Sequence, residues 1–131
     1  MILYELPVPS TALFDISHGF EIRPGRDIAL FYSYETLDDN LMKEEIAFEG
    51  VEAYKSTYYH ARDNSMRQAY DRLINCGATD WLNQVMNNLK GYGEYKDGLV
   101  HMMINFDDGP CYEILCRQFK VVQNKVSLPP L

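Results

Sequence analysis

The chain has 131 residues, enough for one domain that buries roughly two thirds of its unfolded surface without help from a disulfide or a metal. A hydrophobic fraction of 47% and a charged fraction of 24% exclude a disordered chain. The net charge of −7 repels phosphate backbones and anionic membrane surfaces, which disfavours nucleic acid and membranes and leaves a basic protein as the better partner.

Residues 1–63 hold 12 of the 19 acids and 5 of the 12 bases, so the surplus acid lies in the first half. Cys76, Cys111 and Cys116 are too few for a disulfide framework. The opening "MILYELPVPS" lacks the basic region of a signal peptide, and no apolar run approaches the roughly 20 residues of a membrane span. A cytoplasmic protein with reduced thiols is expected.

In chain order, residues 1–35 predict extended pieces cut by prolines and glycines. Ile2 to Leu6 is one, Ala12 to Ser17 another, and Pro24-Gly25 marks a tight turn before the strand "IALFYSY" at 28–34. The charged "LDDNLMKEE" reads as a connection. A strand pair over 44–61 follows, in which the apolar alternation changes phase: Ile46 and Phe48 are even, Val51 and Ala53 odd. Gly50 must absorb the slip. Either a two-residue hairpin sets Phe48 against Val51 and Glu44 against Lys55, or one long strand bulges there.

Residues 65–90 predict two helices. Ser65 caps the first, with Met66, Ala69, Tyr70 and Leu73 at helical spacing and Gly77 as its stop. Thr79 caps the second, with Asp80 in its first turn and Trp81, Leu82, Val85, Met86 and Leu89 on one face, ended by Gly91. Residues 99–121 predict a hairpin. A three-residue loop, Asp107-Asp108-Gly109, sets Phe106 opposite Pro110 and puts Val100, Met102, Ile104, Phe106, Tyr112, Ile114 and Cys116 on one apolar face toward the helices. The tail at 125–131 carries two prolines and should not extend a sheet. The expected fold is a single α+β domain: an antiparallel sheet of five or six strands with a two-helix insertion on one face.

No glycine-rich phosphate loop, helical pair of histidines or zinc-like cysteine spacing occurs, so no cofactor or metal is implied. Cys111 and Cys116, five apart on a strand, point to opposite faces. Two constellations stand out. His101, Cys111, Glu113 and Arg117 share the less apolar hairpin face and are the raw material of acid–base or nucleophilic chemistry, although His101 should sit opposite Leu115. Tyr58, Tyr59, His60 and Arg62, in "STYYHARD", offer the residue types that anchor interfaces. The carboxylate pairs Asp38-Asp39, Glu44-Glu45 and Asp107-Asp108 read as solvated charge.

"FEGVEAY" (48–54), "AYDRL" (69–73), "DWL" (80–82) and "INFDDGPCYEIL" (104–115), in that order, resemble a pattern of small uncharacterised bacterial cytosolic proteins. Some small acidic domains of this look are immunity proteins that bind and block a bacterial toxin. That resemblance implies a non-catalytic protein-binding domain with a basic or toxin-like protein partner, and supplies no active-site residues. The alternatives are a small-molecule binder or enzyme with a pocket near His101, Glu113 and Arg117 or near Tyr58 and His60, or a homodimer.

Overall fold

The computed structural model describes residues 1–7, 19–35, 41–93, 98–106 and 110–126. Among them lie nine strands: β1 (Ile2–Glu5), β2 (Gly19–Arg23), β3 (Asp27–Glu35), β4 (Leu41–Glu49), β5 (Ala53–Thr57), β6 (Arg72–Asn75), β7 (Val100–Asn105), β8 (Cys111–Cys116) and β9 (Gln118–Val126). One α-helix, α1 (Asp80–Gly91), and two short 3-10 segments, Tyr59–Ala61 and Asn64–Ala69, complete them. The strands form two antiparallel sheets, one in the order β1-β6-β7-β8-β5 and the other β2-β3-β4-β9. The protein is thus mainly antiparallel sheet with little helix, and one sheet becomes two. No helix among the described residues is long and apolar enough to cross a membrane.

The sheets close on each other through alternate side chains. Ile28, Leu30, Tyr32, Ile46 and Phe48 of the second sheet meet Leu73, Met102, Ile104, Phe106, Ile114 and Cys116 of the first. Each large apolar side chain buried there contributes about 1.5–3 kcal/mol. Within this core Glu44 is fully buried, which overturns its reading as solvated charge. Its carboxylate accepts hydrogen bonds from Tyr4 (2.6 Å), Gln123 (2.6 Å) and Tyr32. The alternation that points Ile46 and Phe48 inward also sends Glu44 inward.

The phase slip at Glu49-Gly50 is real, but neither a hairpin nor a bulge. β4 pairs with β3 and β9, whereas β5 pairs with β8, so the chain changes sheet at Gly50. Gly50 adopts φ +67°, open to glycine at little cost. The chain makes the reverse change at Arg117, between β8 and β9. There Arg117 N–H donates to the Glu49 carbonyl (3.0 Å), and its guanidinium donates to the Gly50 carbonyl (2.8 Å). Lys55 therefore sits opposite Glu113 and not Glu44.

The stretch "LMKEE" expected in a connection belongs to β4, which pairs with β3 over Leu41–Phe48 and with β9 over Leu41–Glu49. β9 reaches Val126, past the start of the expected tail; the prolines that would stop it come later in the chain. The first predicted helix is absent. Asn64–Ala69 is 3-10 and Arg72–Asn75 is a strand, joined through Asp71 at φ +57°. The β2–β3 turn at Pro24-Gly25, the Thr79 cap and the β7–β8 register stand as expected, with Ile104 opposite Tyr112 and His101 opposite Leu115. The piece at 12–17, Asp38-Asp39, and Asp107-Asp108-Gly109 lie outside the described residues.

The hairpin's apolar face does not meet the helix; it meets the other sheet. α1 covers the opposite face, where Leu82 packs with Leu99 and Leu115, and Trp81, Val85, Met86 and Leu89 are half-buried around them. The second 3-10 segment covers the remainder of that face through Met66 and Ala69, against Ile74, Met103 and Cys111.

Candidate functional site

His101 and Glu113, expected on a wet face, are buried at 4% exposure each. They are diagonal neighbours on β7 and β8, and His101 Nε2 lies 3.0 Å from Glu113 Oε1. On the other side of the ring, Nδ1 is 2.8 Å from Thr79 Oγ1. Thr79, the residue before α1, also accepts from the Leu82 N–H (3.3 Å), which leaves its hydroxyl proton for His101. An arrangement that satisfies every group has Thr79 O–H donating to Nδ1 and Nε2–H donating to Glu113. Trp81, two residues into the helix region, stacks its ring edge-on to His101 at 5.1 Å.

A cleft of about 310 Å³ opens over this row, bounded by Thr79, Trp81, Lys55, Ser65, Gln68 and Cys76. The Lys55 ammonium lies 4.4 Å over the Trp81 ring and 3.7 Å from Glu113 Oε2. That last oxygen has no hydrogen-bond partner among the described residues, although it is inaccessible to bulk water.

The four-residue cluster read from the hairpin does not assemble. Cys111 lies under the second 3-10 segment, packed with Met66 and Ala69. Arg117 sits at the sheet corner, bonded to Gly50 and, at 3.0 Å, to Glu52, which also takes Arg26 at 2.9 Å. Burial pushes the Cys111 and Cys116 thiols up to about 12 and Cys76 up to about 11, with the Glu113 carboxylate adding to the effect at Cys76 and Cys111. All three are free thiols and poor nucleophiles. Cys111 and Cys116 face opposite sides of the sheet, as expected.

No family model, curated protein or solved structure matches the chain.

The second constellation takes a different form from the predicted strand end. The strand expected to run to residue 61 stops at Thr57, and Tyr59–Ala61 turns as 3-10. Arg62 is fixed from three sides: it donates to Asn105 Oδ1 (2.6 Å) and the Phe106 carbonyl (2.7 Å), and stacks over Tyr59 at 4.5 Å. Tyr59 in turn meets His60 edge-on at 5.0 Å. Tyr59, His60, Arg62 and Asn105, with Asp63, Asn64, Arg67 and Tyr70, line an open cleft of about 700 Å³.

The second 3-10 segment separates the two clefts. Its repeat of three residues per turn gives it three faces. Asn64 and Arg67 line the wider cleft, Ser65 and Gln68 the narrower one, and Met66 and Ala69 face the core. Nothing in the sequence marks Thr79, Trp81 and Lys55 as site residues. Thr79 was legible as a cap, but Lys55 joins Glu113 only through the β5–β8 pairing, which links positions 58 residues apart.

Proposed function

We propose that the protein is a non-catalytic binding module that holds a protein partner in the wider cleft. The observation that carries this is the coincidence of the tyrosine–arginine stretch with a cleft of about 700 Å³. Tyr59 is exposed at 53%, while Arg62 is already locked by Asn105 and Phe106. Large side chains held in place before binding lose little freedom on contact, and tyrosine and arginine are the types that concentrate binding energy. The fitting partner has net positive charge, drawn by the acidic chain, and sets a carboxylate or carbonyl against Arg67. An immunity protein that blocks a toxin is the specific form of this reading, supported by the resemblance of its motifs.

Catalysis is the weaker reading. The thiols are held protonated, both His101 nitrogens are engaged, and the Thr79 hydroxyl is committed to the helix cap and to His101. The test pairs the protein with the product of the gene beside its own. Co-expression should rescue growth, and Tyr59→Ala with Arg67→Glu should abolish rescue without changing the circular dichroism spectrum. Rescue that survives both substitutions would remove the cleft from the interface. A neighbouring product that is not toxic, or is not neutralised, would remove the immunity reading.

A further inference from the structure

The narrower cleft holds an acceptor without a donor. Glu113 gives Oε1 to His101, whereas Oε2 is buried and makes no hydrogen bond among the described residues. A buried carboxylate oxygen left in this state is costly and calls for a donor. Trp81, Ile74 and Met103 line the same cleft, and the Trp81 ring and Oε2 flank one ammonium at 4.4 and 3.7 Å. A carboxylate next to an aromatic face is the pairing that recognises an organic cation.

Lys55 already demonstrates the fit. Its ammonium sits over Trp81 at 4.4 Å and approaches Oε2, but stops at 3.7 Å, beyond hydrogen-bond reach. β5 tethers it: Lys55 is directly opposite Glu113 in register. Half of the Lys55 side chain remains in solvent, free to swing outward. An untethered ammonium could close on Oε2 to about 2.8 Å, the charge-assisted distance that Lys55 does not reach.

We propose that this cleft binds a small organic ammonium, with Glu113 Oε2 accepting its N–H and Trp81 covering its carbon body, and that Lys55 is the internal plug it displaces. Thr79 and His101 are positioning residues, holding Glu113 with Oε2 turned into the cleft. This site lies on the other side of the second 3-10 segment from the proposed protein contact and does not depend on it.

Trp81 is the chain's only tryptophan, so its emission reports the site directly. Wild type and Lys55→Ala are titrated with n-butylammonium chloride, and n-butanol serves as the uncharged control. Wild type should show a saturable change, and Lys55→Ala the same change at roughly tenfold lower concentration, because the competing plug is gone. n-Butanol should give none. Equal midpoints in the two proteins, a response that never saturates in Lys55→Ala, or an equal response to n-butanol would each overturn the proposal. Lys55→Ala/Glu113→Gln should lose the response; if it is folded by circular dichroism and still binds, the carboxylate is not the recognition element. If it does not fold, the Lys55→Ala comparison decides.

Discussion

Gly50 and Arg117 act as one corner. A Cβ on Gly50 would lie 3.1 Å from Arg117 Cδ, and φ is +67° there. Gly50→Ala should therefore destabilise the fold by about 1–2 kcal/mol, the cost of forcing an L-residue into the left-handed region. In an Arg117→Ala background the loss should shrink, because the contacts with Cδ and Cγ go and only the one with Cβ, at 3.3 Å, remains; urea midpoints of the four proteins measure the coupling. Equal losses in both backgrounds would show that the two residues do not share a corner. The need for a special residue at Gly50 was legible in the sequence as a slip of phase. Its cause was not, since a slip looks the same whether a strand bulges, turns back or leaves for another sheet. Glu44 shows the opposite failure: beside Glu45 it reads as surface charge, yet it lies fully buried with Tyr4, Tyr32 and Gln123 around it. Those partners come from three different strands, and no local pattern announces them. Glu44→Leu should cost on the order of 3 kcal/mol, since it withdraws a shared acceptor from buried polar groups. A thermal midpoint close to that of wild type would show that the carboxylate is dispensable.

At the scale of the element, α1 was readable because its signals are local. Thr79 accepts from Leu82, Asp80 and Lys90 complement the dipole at either end, and the apolar residues recur on one face. The second 3-10 segment was misread for an equally local reason: Met66 and Ala69 are three apart, a spacing that α and 3-10 helices share. Leu73 and Ile74 settle the matter in the structure, facing opposite sides of β6, one toward the core between the sheets and the other toward Met66. The hairpin register was legible because one face was far more apolar than the other. What it meets was not, since an apolar sheet face suits a helix pair or a second sheet equally. Thr79 joins element to site, as it caps α1 and also holds His101. Thr79→Ala should cost about 1–2 kcal/mol, and Thr79→Ser should restore most of it by returning the hydroxyl. Chemical denaturation decides; a serine variant as weak as alanine would mean that the methyl group, and not the cap, carries the effect.

Across the whole molecule, acid and base limbs of stability come from different parts of the fold. The guanidinium of Arg23, bonded to Glu45 at 2.5 and 3.1 Å, holds that carboxyl below its ordinary 4.5. Gln118 and then Lys120 do the same for Glu49, and Ser65 for Asp63. A group with a depressed folded value stabilises the fold above its unfolded value and loses that contribution as pH falls through the folded one. Glu45 joins β4 to β2, Glu49 joins β4 to β9, and Asp63, in place of the expected Ser65, caps the second 3-10 segment by accepting from the Met66 N–H, so acid should loosen the second sheet and the wider cleft's rim. The alkaline limb belongs to the interior. Cys111, Cys116 and Tyr112 are pushed up to about 12 by burial, from ordinary values of 9.0 for the thiols and 10.0 for the phenol. Their contribution is complete below the unfolded values and is lost as pH rises through the folded ones, because the unfolded chain ionises first. Urea midpoints should thus form a plateau between pH 4.5 and 9.0 and decline on both sides. Replacing both buried thiols, Cys111→Ala with Cys116→Ala, lowers the plateau through lost packing but should flatten the alkaline decline. An alkaline slope as steep in that variant as in wild type would show that the thiols do not set it.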